Sequence, residues 1–373
     1  MGLGTLAQIK KIADGKYLIR ASKGTGPGRT FINKIFRGKL KDAKAYAREQ
    51  ETHLDQGFTT DSRLTFATYL EKWLLAVKPK LAPRTIDGYE GYIKRYATAK
   101  LGTMRLSEIR TFHIQDVLAG VDKSPTTIRN LHAALRAAFA YAVRGGILRD
   151  NPCRNVDLPR KTHKEISVLT IDEACRFAEI ARTMQNGLIF EFALETGMRP
   201  EEYLALRWRD LDGREVSVQQ AVQFNRKGGG YYFKELKTAR SRRRVPISED
   251  LRLLLATHRR DQLKHRLAMK GTWFDHDLIF ANIIGRPHPL PNLTRRYFKP
   301  ILDKCEFDKH ITLYALRHSC ATILLMLGEN PKVVADRLGH SSVSMTLDVY
   351  SHVLPHIQDN ATEKMANVMR VKK

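Results

Sequence analysis

Residues 311–352 read ITLYALRHSCATILLMLGENPKVVADRLGHSSVSMTLDVYSH. Arg317 and His318 open an apolar helical run, Cys320 to Leu327, which ends at Gly328 and Pro331. A second short helix is expected over Val333 to Leu338, where Gly339 stops it and His340 follows at once. A third segment begins near Ser342 or Ser344 and carries Tyr350, with His352 two residues on. A buried guanidinium, an imidazole just past a helix end and a tyrosine can be parts of one anion site. Arginine offers a planar fork that matches phosphate oxygens, and a tyrosine hydroxyl can act as an attacking nucleophile. Each residue alone has an ordinary structural reading, and it is their order and the turns between them that favour the site.

Composition points the same way. The chain has 373 residues, enough for two or three domains. Lys and Arg number 64 against 39 Asp and Glu, a formal charge of +25. That excess points to a polyanion, most simply nucleic acid; the alternative is a basic protein with a solvated surface. Cys153, Cys175, Cys305 and Cys320 lie far apart without a C-x-x-C pair. They suggest neither a zinc site nor a disulfide framework and fit a reducing compartment. The N-terminus, MGLGTLAQIKK, has no signal-peptide pattern, and no apolar run reaches membrane length. A soluble, cytoplasmic, nucleoid-associated protein with no membrane partner is expected.

The expected fold class is multidomain and mainly α with small β-sheets, in three parts. Residues 1–57 form a small sheet-plus-helix module. TLAQIKKI, GKYLIRAS and RTFINKIF are strand-like, and KLKDAKAYAREQETHL is helical. Eight Lys and four Arg against five Asp and Glu mark this module as a candidate DNA binder, with Lys16 and Arg20 on a strand. Residues 63–160 read as a helical domain. Phe66, Tyr69, Leu70, Trp73, Leu74 and Val77 share a helical stripe. A helix is expected from Thr85 to Leu101, Ser107 and Thr111 are candidate caps, and Ser124-Pro125 opens a longer helix. Arg84 and Arg129 are candidate phosphate contacts, and NPCRNVDLPRKTHKE reads as an extended basic linker.

Residues 165–373 form the third part. Thr170 and Glu173 resemble a capping box, and LIFEFALE is a helix broken at Thr196-Gly197. Arg199 sits just past that break, and Glu202 lies one turn into the helix that follows. EVSVQQAVQF, YYFKELKT and RRRVPI are expected to build one small antiparallel sheet, with Lys237 near a turn. The run from Lys237 to Arg244 makes Arg240, Arg242 and Arg243 phosphate candidates. A last amphipathic helix is expected over HIQDNATEKMANVM.

Taken together and in this order, TGMRPEE, ELKTARSRRRVPI, LYALRH, RLGH and VYSH resemble the tyrosine recombinases, the phage-integrase family of site-specific DNA recombinases. The helical part resembles the family's core-binding domain, and the N-terminal module its arm-type DNA-binding domain. The resemblance implies a catalytic set of Arg199, Glu202 as its acidic supporter, Lys237, Arg317, His340 and the nucleophile Tyr350. It also implies double-stranded DNA at specific sites, a homotetramer on DNA, accessory DNA-bending or directionality proteins, and chemistry without metal or ATP. One position departs from the family: Tyr314 stands where H-x-x-R places its histidine. A phenol can hydrogen-bond a phosphate oxygen, but its pKa of about 10 makes it a poor proton shuttle at neutral pH. His318 is a substitute to consider. Two other readings compete: a non-catalytic DNA-binding regulator using VVADRLGHSSVSMTLDVY as a helix-turn-helix, and a type IB topoisomerase-like enzyme.

Overall fold

A computed structural model describes residues 6–23, 30–55, 63–161, 166–225, 229–236, 241–269, 271–340, 342–350, 365, 366 and 369. The chain divides into two compact units, Met1–His163 and Lys164–Lys373.

The N-terminal residues alternate as strands should. β1 (Leu6–Ala13), β2 (Lys16–Lys23) and β3 (Thr30–Arg37) form one antiparallel sheet in that order. Asp14-Gly15 makes the first turn, with Gly15 at φ +66°. Tyr17, Ile19 and Ala21 are buried on one face, where α1 (Leu40–Asp55) contributes the buried Ala43 and Ala47. The period of two sends Lys16 and Arg20 to the other face. There Arg20 stands opposite Gln8 and Asn33, and Lys16 opposite Arg37.

In the helical part, α2 (Phe66–Val77) buries the predicted stripe except for Leu74, which is half-buried, and Tyr69 donates its hydroxyl to Ala138 O at 2.7 Å. The predicted helix from Thr85 to Leu101 is broken in two, as α3 (Pro83–Tyr96) and α4 (Thr98–Leu101). Thr98 Oγ1 donates to Ile93 O at 3.2 Å, a local bond that competes with continued helix. Thr111 is the first residue of α5 (Thr111–Ala119) and not its cap; Arg110 is, and its N–H donates to His113 Nδ1 at 3.0 Å. Ser107 lies inside the 3-10 turn Leu106–Glu108. α6 (Pro125–Arg144) begins at the expected Ser124 cap, and Phe139 stacks on Phe66 in the core. The segment after α6 is fastened rather than loose: His132 bonds Cys153 O at 2.9 Å and Asn151 donates to Arg136 O at 3.0 Å.

The second unit opens with α7 (Ile171–Thr183), whose Thr170–Glu173 capping box forms as expected. α8 (Leu188–Thr196) ends at Gly197, and Arg199 caps α9 (Pro200–Tyr203). The strands make two sheets instead of the one expected. β4 (Leu211–Asp212), β5 (Glu215–Val218) and β8 (Arg243–Pro246) form one; β6 (Gln220–Phe224) and β7 (Tyr231–Glu235) form the other. Val218 pairs with Arg243, while two residues later Gln220 pairs with Glu235, so the run EVSVQQAVQF changes partner at Gln219. α10 (Glu249–Ala268), α11 (Leu290–Leu293) and α12 (Lys299–Cys305) follow, with Phe298 packed against Phe177 and Phe190 in the core. α13 (Leu313–Met326) starts four residues before Arg317, from a Thr312 cap. α14 (Pro331–Leu338) and α15 (Val343–Tyr350) complete the described fold. The expected helix after Tyr350, apart from residues 365, 366 and 369, lies outside the described residues.

Gly197 is where three of these helices meet. Its φ is +64°, and a Cβ there would stand 2.6 Å from Leu338 Cδ2 and 3.1 Å from Cys320 Sγ. Gly197→Ala should therefore cost about 2–4 kcal/mol, through backbone strain and overpacking together. Urea unfolding of the variant checks this, and a loss below about 1 kcal/mol would show that the junction can relax.

Candidate active site

Arg317 is deeply set. It lies in the second turn of α13 at 5% exposure, donating from Nη1 to Gly197 O at 2.8 Å and from Nη2 to Leu338 O at 2.7 Å. Both carbonyls end helices, α8 and α14, where the backbone dipole favours a cation. Gly339, at φ +68°, then reverses the chain and brings His340 N–H to Ala335 O at 2.9 Å. His340 is thereby held beside Arg317 by the turn itself. Its Nδ1 lies 2.7 Å from Thr346 Oγ1. Thr346 is fully buried on α15, and Tyr350 follows it by four residues, about one helical turn.

Arg199 reaches the same region from α9. Its Nη1 donates to Glu202 Oε1 at 2.9 Å and its main-chain N–H to Glu202 Oε2 at 3.0 Å. Glu202 is 3% exposed and also accepts from Arg243 Nη2 at 2.8 Å. Burial alone would raise its carboxyl pKa, yet Arg243 and Arg199 together hold it below the ordinary value. Of the two pairs only Glu202–Arg243 is buried on both sides, and removing one partner of such a pair typically costs about 3–5 kcal/mol, because the other charge is stranded.

These cations act on His340. Burial first, then Arg317, Arg199, His318 and Arg243, push its pKa down to about 4. The imidazole is therefore neutral at pH 7, among arginines of which Arg199 and Arg243 share the Glu202 carboxylate. His318 is also shifted down, by burial and by Arg317.

Residues 167–356 match the phage integrase family, and residues 65–120 match the phage integrase N-terminal SAM-like domain. The chain belongs to the phage integrase family. A tyrosine recombinase XerC-like protein of Caldanaerobacter subterraneus subsp. tengcongensis is 30% identical over 95% of this chain and 97% of its own. The same fold is seen in the Tn1549 transposon integrase solved in complex with transposon right end DNA. That match has a TM-score of 0.65 and 22% identity over 80% of this chain and 99% of the other. A lambda integrase tetramer bound to a Holliday junction gives a TM-score of 0.56 and 16% identity, over 90% and 95% of the two chains.

Within this phage integrase fold, Arg199, Glu202, Arg317 and His340 converge, as the motif order anticipates. Tyr350 ends α15, and its side chain lies outside the described residues, as do Lys237 and Arg240. Tyr314 is 43% exposed and donates its hydroxyl to Glu201 Oε2 at 2.5 Å, so its proton is committed to a carboxylate. Arg243 corrects the sequence reading: its side chain is 6% exposed and bonded inward, so it is not a surface phosphate contact. Arg242 is exposed, with contacts to Leu236 O and Glu235. In the first unit Lys16, Arg20 and Arg84 are exposed, whereas Arg129 donates from Nε to Pro159 O at 3.0 Å and so holds the following segment. Sequence reading missed Thr346 and Glu201. The four-residue step from Thr346 to Tyr350 was the available signal for the first; nothing in the sequence marks the second.

The neutral His340 has a consequence for stability. Its folded pKa of about 4 lies below its ordinary value of 6.5, so between those values the unfolded chain binds the extra proton. Its contribution is whole above pH 6.5 and falls away as the pH drops towards 4. His340→Ala should narrow the difference in urea stability between pH 7 and pH 5; an unchanged difference would place the titration elsewhere.

Proposed function

We propose that this chain is a site-specific DNA recombinase that cuts and rejoins DNA through Tyr350, for the integration or excision of a mobile element. The observation that carries this reading is the convergence of Arg199, Arg317 and a neutral His340 on one anion-seeking site, beside the helix that bears Tyr350. Family membership supports it independently.

In the proposed reaction the Tyr350 oxygen attacks the phosphorus of a DNA phosphodiester. The bond to the 5′ oxygen breaks and a 3′-phosphotyrosine link forms. His340 or solvent takes the tyrosine proton, and Lys237 gives one to the leaving 5′ oxygen. Arg199 and Arg317 bear the charge that grows on the non-bridging oxygens. Because the ester conserves the energy of the broken bond, rejoining needs no ATP, and the fixed cations take the part a metal plays in nucleases. Glu202 orients Arg199 through a charge-assisted bond.

The proposed partner is double-stranded DNA carrying specific sites, bound by a homotetramer that passes through a four-way junction, with accessory DNA-bending or directionality proteins. Residues 1–57 and 63–160 are proposed as arm-type and core-type DNA-binding parts, and residues 165–373 as the catalytic part. The outward sheet face with Lys10, Lys16, Arg20 and Arg37 fits the first of these roles, since a small sheet can enter a major groove. Among the described residues no helix is long and apolar enough to cross a membrane. The proposed location is the cytoplasm, on the nucleoid.

A nicked suicide duplex, which loses its 5′ fragment after cleavage, should trap a covalent adduct. Tyr350→Phe should abolish that adduct while leaving DNA affinity within about threefold. Retained cleavage would refute the nucleophile, and no adduct with the parent chain would favour a non-catalytic regulator. Exchange of strands between two sites would separate a recombinase from a type IB topoisomerase-like enzyme. Tyr314→His should preserve or raise the cleavage rate, since imidazole is the better proton carrier at neutral pH. A large loss would mean that the Tyr314–Glu201 bond itself is needed.

A further inference from the structure

Arg243 is one of three consecutive arginines, yet it has surroundings unlike those of its neighbours. Arg242 and Arg244 have side chains 55% and 70% exposed, against 6% for Arg243. The strand period explains the difference: Val245 is buried, and Arg243 shares its face. The guanidinium of Arg243 donates from Nη2 to Glu202 Oε2 at 2.8 Å, from Nε to Arg337 O at 2.7 Å and from Nη1 to Ser241 O at 3.3 Å.

Each acceptor belongs to a segment that bears a proposed catalytic group. Glu202 holds Arg199 by side chain and main chain. Arg337 is in the last turn of α14, two residues before the glycine that turns the chain to His340. Ser241 is the first described residue after 237–240, which contain Lys237. A single planar fork can serve three acceptors spread around it, whereas an ammonium group offers no such plane.

We infer that Arg243 is a positioning residue for strand transfer, fixing Arg199 through Glu202 and tying both to the His340 turn without itself touching DNA. Without it, Glu202 would keep a buried negative charge with Arg199 as its remaining cation. That carboxylate would draw the Arg199 guanidinium inward, away from a phosphate. The depressed carboxyl pKa of Glu202 fits this division of charge between two arginines.

This inference rests on the proposed function, and the experiment tells their failures apart. Adduct formation is measured on the suicide duplex with an ordinary scissile phosphate and with a methylphosphonate, in which a neutral methyl replaces one non-bridging oxygen. The neutral group lowers the demand for a guanidinium clamp. Arg243→Met should slow adduct formation about 100-fold on the phosphodiester and less than about tenfold on the methylphosphonate, with DNA affinity within about threefold. Arg243→Lys should recover only part of the loss. Should Arg243→Met fail to fold, the double variant Arg243→Met/Glu202→Gln removes the stranded carboxylate and is compared on the same two substrates. Equal losses on both substrates in a folded variant overturn the inference. So does a fall in DNA affinity as large as the fall in rate, which would make Arg243 a phosphate contact. A parent chain that forms no adduct at all refutes the functional reading instead.

Discussion

One buried guanidinium holds the second unit's site together. Arg317 joins the last carbonyl of α14 to the left-handed glycine that closes α8, so two helices far apart in sequence end at the same cation. The arrangement suits electrostatics at both ends, because helix C-termini carry partial negative charge. It also explains why Gly197 has no room for a side chain: the carbonyl it offers must come close to α13 and α14. The position of His340 then follows from the Gly339 turn, and that of α15 in part from the bond between His340 and Thr346.

The site gathers arginines around one buried carboxylate. Glu202 is shared by Arg199 and Arg243, while Arg317 is bonded to neutral carbonyls. Burial first and then the neighbouring cations push the pKa of the His340 imidazole well below its usual value. A phosphate entering here would add negative charge and bring the His340 pKa back up. The family departure at Tyr314 belongs to the same balance. The phenol leans on Glu201, a carboxylate outside the Arg199–Glu202–Arg243 chain, and so adds no further cation to a site already rich in them.

Much of this was legible in the sequence, where local chemistry decides the outcome. The Trp73 stripe, the Thr170–Glu173 box and the glycines at 197 and 339 each act through neighbours a few residues away. Long-range pairing was not legible. That EVSVQQAVQF divides between two sheets depends on β8 and β7 arriving from opposite sides of the 237–240 connection, and composition carries no trace of it. Arg243 lies between these cases. Three arginines in a row read as a charge run, but the apolar residue at 245 sets the phase of the strand and marks which of the three turns inward.

The N-terminal sheet carries a constraint of another kind. Among the described residues it has three strands, with β1 and β3 on the outside, and outer strands are where a passing strand can pair. Lys10 and Lys11 on one edge and Lys34 and Arg37 on the other make docking by a like-charged copy unfavourable, even with Ile12 and Ile35 exposed. The basic residues that the proposed function assigns to DNA would thus also oppose self-association into extended β-structure.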